Sequence, residues 1–266
     1  MSNTPLPPVT AIVLAGQRLG VVNPLAARAG VSHKCLVPIC GKPLLGHVLD
    51  TLAEVPGISD VRVSVETSGH NAIAPLLAGY EDVQLVASSP NLADSVLGAA
   101  EGVSGPIIVT TADHVLLTPA AVQQVREAML RADAVFALAR KASVMAAHPD
   151  GQRNYYRFRD DEYANCNIYG LSGPKALSAV EVFRGGGQFM KSVKRMIDSF
   201  GLLNIAMMRL GLISREGATR RLGRKLGLTM EATVFADGSL AIDVDNERTF
   251  AVCEELLSKR AATVRG

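Results

Sequence analysis

The sequence predicts a three-layer α/β fold, in which a mostly parallel, mixed sheet carries helices on both faces. The composition favours this class, because 48% of the 266 residues are hydrophobic but only 5% are aromatic, as in cores built from aliphatic side chains. The order of segments favours it as well. Short apolar runs alternate with helix-like segments through the first half of the chain, which is the pattern of parallel β-α-β units.

The strands predicted for the first half are short apolar runs rich in β-branched residues. They cover residues 9–16, 61–66, 83–88, 106–113 and 133–139. Helices are predicted between them at residues 43–52, 92–101 and 119–132. The last of these begins after Thr118, a favoured N-cap residue, with Pro119 at the first helical position.

The pattern changes after residue 141. Two runs containing Tyr and Phe between residues 148 and 171 predict late strands beside the sheet, and residues 174–183 and 188–225 predict helices. Residues 232–244 predict strand with a hairpin turn at Asp237-Gly238, and residues 247–260 predict a final helix. We interpret the chain as a single domain, residues 1–266, with a basic helical accessory region at about residues 184–228.

Charge and cysteine content exclude several classes of protein. A formal net charge of +2 argues against general nucleic-acid binding, which needs a large cationic surface. The four cysteines include no Cys-x-x-Cys pair, so neither a zinc site nor a disulfide framework is indicated. No basic segment precedes a signal-type apolar stretch, and we therefore expect a cytoplasmic protein.

The loop after the first predicted strand carries three spaced cations, in "AIVLAGQRLGVVNPLAARAGVSHKCLVPICGKPLL". A loop that leaves a parallel strand through glycine lets backbone N–H groups approach phosphate oxygens, which Arg18 and Lys34 could then neutralise. Neither a Gly-x-Gly-x-x-Gly fingerprint nor a P-loop is present. For each cation taken alone, a solvated surface charge is the alternative.

The two parts "LAGQRLG" and "KCLVPICGKPLL" resemble the signature of the MobA-like NTP transferase and sugar-phosphate nucleotidyltransferase superfamily. The second part matches the pattern K-x-L-x-P-x-x-G-K-P at Lys34, Leu36, Pro38, Gly41, Lys42 and Pro43. In the first part Gln17 and Arg18 follow Gly16 at once, where that superfamily commonly has further small residues. The resemblance implies a Rossmann-like fold of the nucleotide-diphospho-sugar transferase type. It also implies nucleotide contacts at Leu14, Ala15, Gly16, Gln17, Arg18 and Lys34.

Two acidic segments complete the resemblance. Asp113 ends the apolar run "IIVTTAD" and resembles the metal-binding aspartate of the superfamily, whereas Asp243 and Asp245 in "LAIDVDNERTF" resemble its carboxyl-terminal metal motif. The resemblance implies that these carboxylates bind Mg²⁺ and that Arg18, Lys34 and Asp113 are catalytic. Because Asp243 and Asp245 are two apart, we expect them on one face of a strand. The alternatives are that Asp113 caps a turn and that Asp245 or Asn246 caps the last helix.

Weaker resemblances place the rest of the site. "SSPNLADSVLGAAEG" resembles a nucleotide-contact stretch, which implicates Asn91 and Ser95, although an ordinary helix N-terminus explains both. "NCNIYGL" resembles an acceptor-pocket strand of the pattern N-x-G-(I/V)-Y, which implicates Asn167. The upstream run "RNYYRFR" adds Tyr156 and Arg157 as candidate acceptor contacts.

These features predict a nucleotidyltransferase that moves NMP from an NTP, CTP or GTP first, to a phosphate-bearing small molecule with release of pyrophosphate. A phosphate acceptor is already ionised near neutral pH, so the reaction needs no general base. The alternatives are a nucleotide-sugar-dependent glycosyltransferase and a non-catalytic nucleotide-binding module. The basic segment 188–225 predicts peripheral membrane contact, a homodimer contact or a solvated helix face.

Overall fold

A computed structural model describes residues 6–17, 20–183 and 212–265. In these residues one large sheet and one small antiparallel ribbon are formed by the strands β1 (Val9–Leu14), β2 (Pro38–Ile39), β3 (Lys42–Pro43), β4 (Ile58–Val65), β5 (Val83–Ala87), β6 (Ile107–Thr111), β7 (Ala134–Arg140), β8 (Tyr156–Arg157), β9 (Glu162–Leu171) and β10 (Met230–Phe235). The large sheet has the order β10-β7-β9-β6-β1-β4-β5, with β8 paired to β9, and β2 and β3 form the ribbon.

The large sheet is mixed but mostly parallel, as predicted. Strand β1 runs parallel to both β4 and β6, β4 runs parallel to β5, and β7 runs parallel to β10. Only β9 is long and antiparallel among the described strands, and it lies between β6 and β7. The amino-terminal part of β9 therefore reaches the same sheet edge as the carboxyl ends of its two neighbours.

Helices pack on both faces of this sheet. The described α-helices are α1 (Pro24–Ala29), α2 (Leu44–Ala53), α3 (His70–Leu77), α4 (Leu92–Ala99), α5 (Pro119–Ala128), α6 (Lys141–Ala147), α7 (Arg215–Leu226) and α8 (Glu247–Arg265). Alternate residues of β1 serve the two faces: Ala11 and Val13 join the core that α2, α5 and α8 cover, and Ile12 joins the core beneath α4. This is the period-2 pattern of a strand buried on both sides.

The predicted hairpin at Asp237-Gly238 is wrong. After β10 the chain forms a short 3₁₀ helix, Gly238–Ala241, which Asp237 begins by accepting a hydrogen bond from the backbone N–H of Ser239. Gly238 lies against the backbone of Ser143 so closely that a Cβ atom would overlap it. Long-range packing therefore replaces the second strand, and residues 242–245 are not in a strand.

Other predicted boundaries shift, and one region falls outside the described residues. Helix α5 ends four residues before the predicted end and α8 continues to Arg265, whereas residues 174–183 form 3₁₀ rather than α-helix. Of the predicted accessory region, the structure describes α7 but not residues 184–211. Among the described helices none is long and apolar enough to cross a membrane.

Candidate active site

Three segments that are distant in sequence meet at the carboxyl edge of the sheet. The Lys34 ammonium lies 2.5 Å from Asp113 Oδ2 and 3.3 Å from Asp245 Oδ1. These two pairs join residues 79 and 211 positions apart. The fold thus brings together the three charged residues that the sequence motifs singled out.

Each of the three side chains is held by the local backbone. Lys34 opens a 3₁₀ helix, Lys34–Leu36, that is anchored by the buried Cys35. Asp113 lies two residues beyond the end of β6, and its backbone carbonyl accepts a hydrogen bond from Val244 N at 3.1 Å. That bond joins the loop after β6 to the segment that carries Asp245, so the two carboxylates are positioned together.

Burial and neighbouring charges shift the pKa values of Asp113 and Lys34 in opposite directions. Burial alone would raise the pKa of Asp113, but the Lys34 ammonium outweighs it, and the pKa of this carboxyl is lowered. Burial alone would lower the pKa of Lys34, but Asp113 and Asp245 outweigh it, and its pKa is raised. Both groups are therefore charged at neutral pH. Burial lowers the pKa of the neighbouring His114 to about 4, so this imidazole is neutral.

The capping alternatives for the aspartates do not match the observed contacts. Helix α8 is capped by Asn246, whose Oδ1 accepts hydrogen bonds from Arg248 N at 3.1 Å and Thr249 N at 3.3 Å. The Asp245 side chain remains 69% exposed and contacts Lys34. Asp113 Oδ1 is buried without a hydrogen-bond partner, which is not the geometry of a turn cap.

Asp243 and Asp245 do not share a face, so that prediction is wrong. The backbone at residues 242–245 is not a strand, and Asp243 is 6% exposed whereas the Asp245 side chain is 69% exposed. Asp243 Oδ2 instead accepts a hydrogen bond of 2.5 Å from Asn167 Nδ2. Burial, with the nearby charges of Asp113 and Asp245, raises the pKa of Asp243 well above its usual range.

The oxygen donors around Lys34 are of the kind that Mg²⁺ takes. Within residues 6–17, 20–183 and 212–265 no group of three or more His, Cys, Asp or Glu side chains is arranged to hold a metal by itself. Mg²⁺ in nucleotide sites uses one or two carboxylates and completes its shell with phosphates and water. Asp113 and Asp245, both adjacent to one ammonium group, fit that donor set, and the orphaned Asp113 Oδ1 offers a free buried acceptor.

The loop after β1, whose described residues are 15–17 and which we call the glycine loop, lies next to the ends of β4 and β5. Leu14 is partly buried, Ala15 is buried and donates its N–H to Ser64 O at 2.9 Å, and Gly16 is exposed. A Cβ atom at Gly16 would lie only 3.1 Å from Ser88 Oγ. Gln17 N donates to Glu66 Oε2 at 3.1 Å. Arg18, a predicted catalytic and nucleotide-binding residue, lies outside the described residues.

Asn91 and Ser95 have local structural partners. Asn91 Oδ1 accepts from Asp94 N at 2.9 Å and so caps α4. Ser95 Oγ accepts from Ser89 N at 2.9 Å and donates to Asn91 O at 2.9 Å, and the residue is 5% exposed. These bonds are those of an ordinary helix N-terminus, and the role of both residues in nucleotide binding stays a prediction.

The predicted acceptor side has a distorted strand. Phe136 pairs with Tyr169 but Leu138 pairs with Asn165, so β9 carries two extra residues between these positions. Asn167 lies in this bulge with φ of 45°, a left-handed conformation that asparagine tolerates and that glycine adopts freely. Asn167 occupies the position at which the motif N-x-G-(I/V)-Y has glycine.

Asn165 is a member of this polar group that the sequence reasoning missed. Its Nδ2 donates to Asn167 Oδ1 at 2.5 Å and to Tyr169 Oη at 2.7 Å. The signal was present in the sequence, because Asn165 and Asn167 alternate with apolar residues along one strand. Tyr156 is partly buried and Arg157 is exposed in β8, where Arg157 Nε lies 3.9 Å from Glu162 Oε1.

Lys42 takes no part in the cluster around Lys34. Its ammonium pairs with Asp50 in α2, and Asp50 Oδ1 also accepts a 2.7 Å hydrogen bond from Tyr80 Oη. The third cation of the loop is therefore bound to the helix that follows it.

Known structures share this architecture. A hypothetical transferase from Thermus thermophilus is 27% identical, with a TM-score of 0.76 over 92% of this chain and 100% of its own. A 4-diphosphocytidyl-2C-methyl-D-erythritol synthase from Anaerococcus prevotii is 11% identical, with a TM-score of 0.61 over 95% and 99%. A CMP:2-keto-3-deoxy-manno-octonic acid synthetase complexed with CTP is 14% identical, with a TM-score of 0.57 over 94% and 99%.

At identities of 11% and 14% the last two structures establish the fold alone, which is that of the nucleotide-diphospho-sugar transferases. No curated protein sequence matches significantly. The family model described as the MobA-like NTP transferase domain matches residues 11–196, a span that contains both the glycine loop and the Lys34 to Asp113 pair. The chain therefore belongs to the MobA-like NTP transferase domain family.

Proposed function

We propose that the protein is a Mg²⁺-dependent nucleotidyltransferase that moves NMP from an NTP to a phosphate-bearing small molecule and releases pyrophosphate. The observation that carries this proposal is the Lys34 ammonium between Asp113 and Asp245 at the carboxyl edge of the sheet. Family membership and the structural likeness to a 4-diphosphocytidyl-2C-methyl-D-erythritol synthase and a CMP:2-keto-3-deoxy-manno-octonic acid synthetase support it. One of these relatives is complexed with CTP, so CTP is the first donor to test and GTP the second.

The reaction requires that the two substrates are positioned and that the repulsion between their negative charges is reduced. An oxygen of the acceptor phosphate forms a bond to the α-phosphorus while the bond from that phosphorus to the pyrophosphate oxygen breaks. The acceptor phosphate is largely dianionic at neutral pH, because its second pKa is about 6. No side chain therefore has to remove a proton. The buried His114, with a pKa lowered to about 4, is a weak base.

Lys34 would supply the fixed positive charge. In the free protein its ammonium is balanced by two carboxylates, and it lies at the edge where parallel α/β sheets bind ligands. Contact with the triphosphate would let it offset the negative charge that grows on the leaving pyrophosphate. Arg18, as a second cation of the same loop, would share this role.

Asp113 and Asp245 would hold the Mg²⁺ ion, with phosphate oxygens completing its shell. A bound ion would supply positive charge to offset the negative charge of the triphosphate. Asp243 is a weaker candidate ligand, because its Oδ2 is already engaged by Asn167. Asn167, with Tyr156 and Arg157, would contact the acceptor.

A pyrophosphate-release screen tests the proposal. Each of the four NTPs is combined with a panel of phosphorylated sugars, polyols and amino alcohols, with and without Mg²⁺. We expect release that requires acceptor and metal together, and its loss in Asp113→Ala. Sugar transfer from a nucleotide sugar without pyrophosphate would support a glycosyltransferase instead. Metal-independent NTP binding without turnover would support a nucleotide-binding module.

A further inference from the structure

Four residues near the glycine loop form a closed ring of hydrogen bonds. Gln17 N donates to Glu66 Oε2 at 3.1 Å, and Glu66 Oε1 lies 3.0 Å from His33 Nε2. His33 Nδ1 lies 2.8 Å from Ser32 Oγ, and Ser32 O accepts from Gln17 Nε2 at 3.0 Å. The ring thus joins the residue after Gly16 to the two residues before Lys34.

The centre of the ring, His33 and Glu66, is largely buried, whereas Ser32 at its edge is exposed. The His33 and Glu66 side chains are 7% and 12% exposed. A neutral imidazole with its hydrogen on Nε2 satisfies both contacts, because it donates to Glu66 and accepts from the Ser32 hydroxyl. Burial of a carboxylate has an unfavourable free energy unless hydrogen bonds such as these compensate it.

The backbone on either side of the ring connects it to Lys34. His33 precedes the 3₁₀ helix that Lys34 opens, and His33 O accepts from Leu36 N at 3.0 Å. Glu66 follows the last residue of β4, and its carbonyl accepts from Gly69 N at 2.8 Å. A Cβ atom at Gly69 would lie 2.5 Å from His33 Nε2, so the turn after Glu66 needs glycine to admit the imidazole.

We propose that Glu66 is a positioning residue for the nucleotide: through Gln17 N–H and the His33 imidazole it fixes the glycine loop and Lys34 relative to the end of β4. The inference rests on the proposed function, because the part it positions is the predicted triphosphate site. The Glu66 carboxylate is bonded to Gln17 N and His33 Nε2, and it acts through the two segments that it joins.

Two substitutions of Glu66 separate positioning from charge. In Glu66→Gln the amide oxygen can accept from Gln17 N–H, and the amide nitrogen can donate to His33 Nε2 when the imidazole hydrogen moves to Nδ1 and is donated to Ser32 Oγ, so the ring persists without the charge. In Glu66→Ala both bonds are lost. We expect KM for the NTP to rise about tenfold in Glu66→Ala and to stay within about threefold in Glu66→Gln, with KM for the acceptor unchanged in both. His33→Ala should match Glu66→Ala, and the double variant should be no worse than either.

Asp60→Ala is the matched control. Asp60 is a carboxylate near the start of β4, whereas Glu66 follows the end of that strand, and Asp60 is bound to Arg62 Nε at 2.8 Å and Gln84 Nε2 at 2.9 Å. It should lower thermal stability without changing KM for the NTP. Equal impairment of Glu66→Gln and Glu66→Ala would overturn the proposal, as would a parallel rise in KM for both substrates.

A second readout keeps this test apart from that of the proposed function. If the wild-type protein releases no pyrophosphate from any of the four NTPs, the proposed function fails. NMR-detected hydrogen exchange then tests whether Glu66 still positions the two segments. Glu66→Ala should speed exchange of the Gln17 amide and of residues 33–37 at least about tenfold, while Glu66→Gln should not. Unchanged protection in Glu66→Ala would overturn the positioning role.

Discussion

Lys34 and Lys42 are eight residues apart in one motif, and both pair with aspartates, yet their surroundings differ. Lys34 joins Asp113 and Asp245, which lie 79 and 211 positions away, and its side chain is 20% exposed. Lys42 pairs with Asp50, eight positions away in α2, and the two side chains are 44% and 38% exposed. The first pair forms only when the sheet is assembled, whereas the second is a local contact.

The difference shows why residue type alone does not identify a functional cation. A half-exposed ion pair contributes about 0–1 kcal/mol, because water and salt screen it. A largely buried ion pair such as that of Lys34 and Asp113 is more sensitive, since removal of one partner leaves the other charge uncompensated. Four substitutions test this contrast between the Lys34 cluster and the Lys42 pair.

Asp113→Ala should have the largest effect on activity. It removes both the partner of Lys34 and a proposed Mg²⁺ ligand, and we expect pyrophosphate release to fall at least about 10³-fold. Circular dichroism should show an unchanged fold, because the segments on either side of Asp113 are held by backbone bonds. Persistent turnover would contradict the metal assignment and the proposed role of the cluster.

Lys34→Ala should reduce both activity and stability. We expect kcat/KM for the NTP to fall about 10²-fold, and the free energy of unfolding to fall by roughly 3 kcal/mol because Asp113 loses its counter-charge. The double variant Lys34→Ala/Asp113→Asn should recover part of that stability in chemical denaturation but none of the activity. Recovery of both would mean that the cluster is structural only.

Asp245→Asn should act on metal dependence rather than stability. Its exposed side chain predicts a change of less than about 0.5 kcal/mol in unfolding free energy, with a rise of about tenfold in the Mg²⁺ concentration needed for half-maximal rate. Asn246→Ala is the matched control at the next position. Loss of the α8 cap should cost about 1 kcal/mol without changing the Mg²⁺ requirement. If Asn246→Ala raised the Mg²⁺ requirement and Asp245→Asn did not, Asp245 would not be a Mg²⁺ ligand.

Lys42→Ala should have the smallest effect. Its pair with Asp50 is half exposed, so we expect a loss of less than about 1 kcal/mol in unfolding free energy and a rate within about twofold of wild type. Steady-state kinetics beside Lys34→Ala gives a direct comparison of the two lysines. A loss of activity as large as that of Lys34→Ala would remove the distinction between them.

Much of the fold could be predicted from local signals, and the meeting of Lys34 with Asp113 could be predicted from the parallel sheet and the motif resemblance. Strand periodicity located the parallel sheet, and the residues that follow β1 and β6 had to meet at one edge because carboxyl ends of parallel strands lie together. Asp113 and Lys34 were identified on that basis and through the motif resemblance. The N-cap of α5 at Thr118 was also a local signal and is present.

The remainder depends on contacts that sequence spacing does not encode. Asp243 is buried against Asn167 because residues 242–245 leave the sheet, which follows from the packing of Gly238 against α6. The bulge in β9 and the ring through Glu66 likewise depend on which distant backbone each residue meets. Spacing in the chain gives the period of an element but not its partners.

If this site transfers a nucleotidyl group, the α-phosphate of the NTP becomes bonded to the acceptor, and a label at that phosphate follows the transfer. The protein is incubated with Mg²⁺, an NTP labelled at the α-phosphate and the acceptor that supports the fastest pyrophosphate release. We expect one labelled acceptor for each pyrophosphate formed, and neither product with Asp113→Ala. Label that remains in NDP, or that appears as free NMP without modified acceptor, would contradict it.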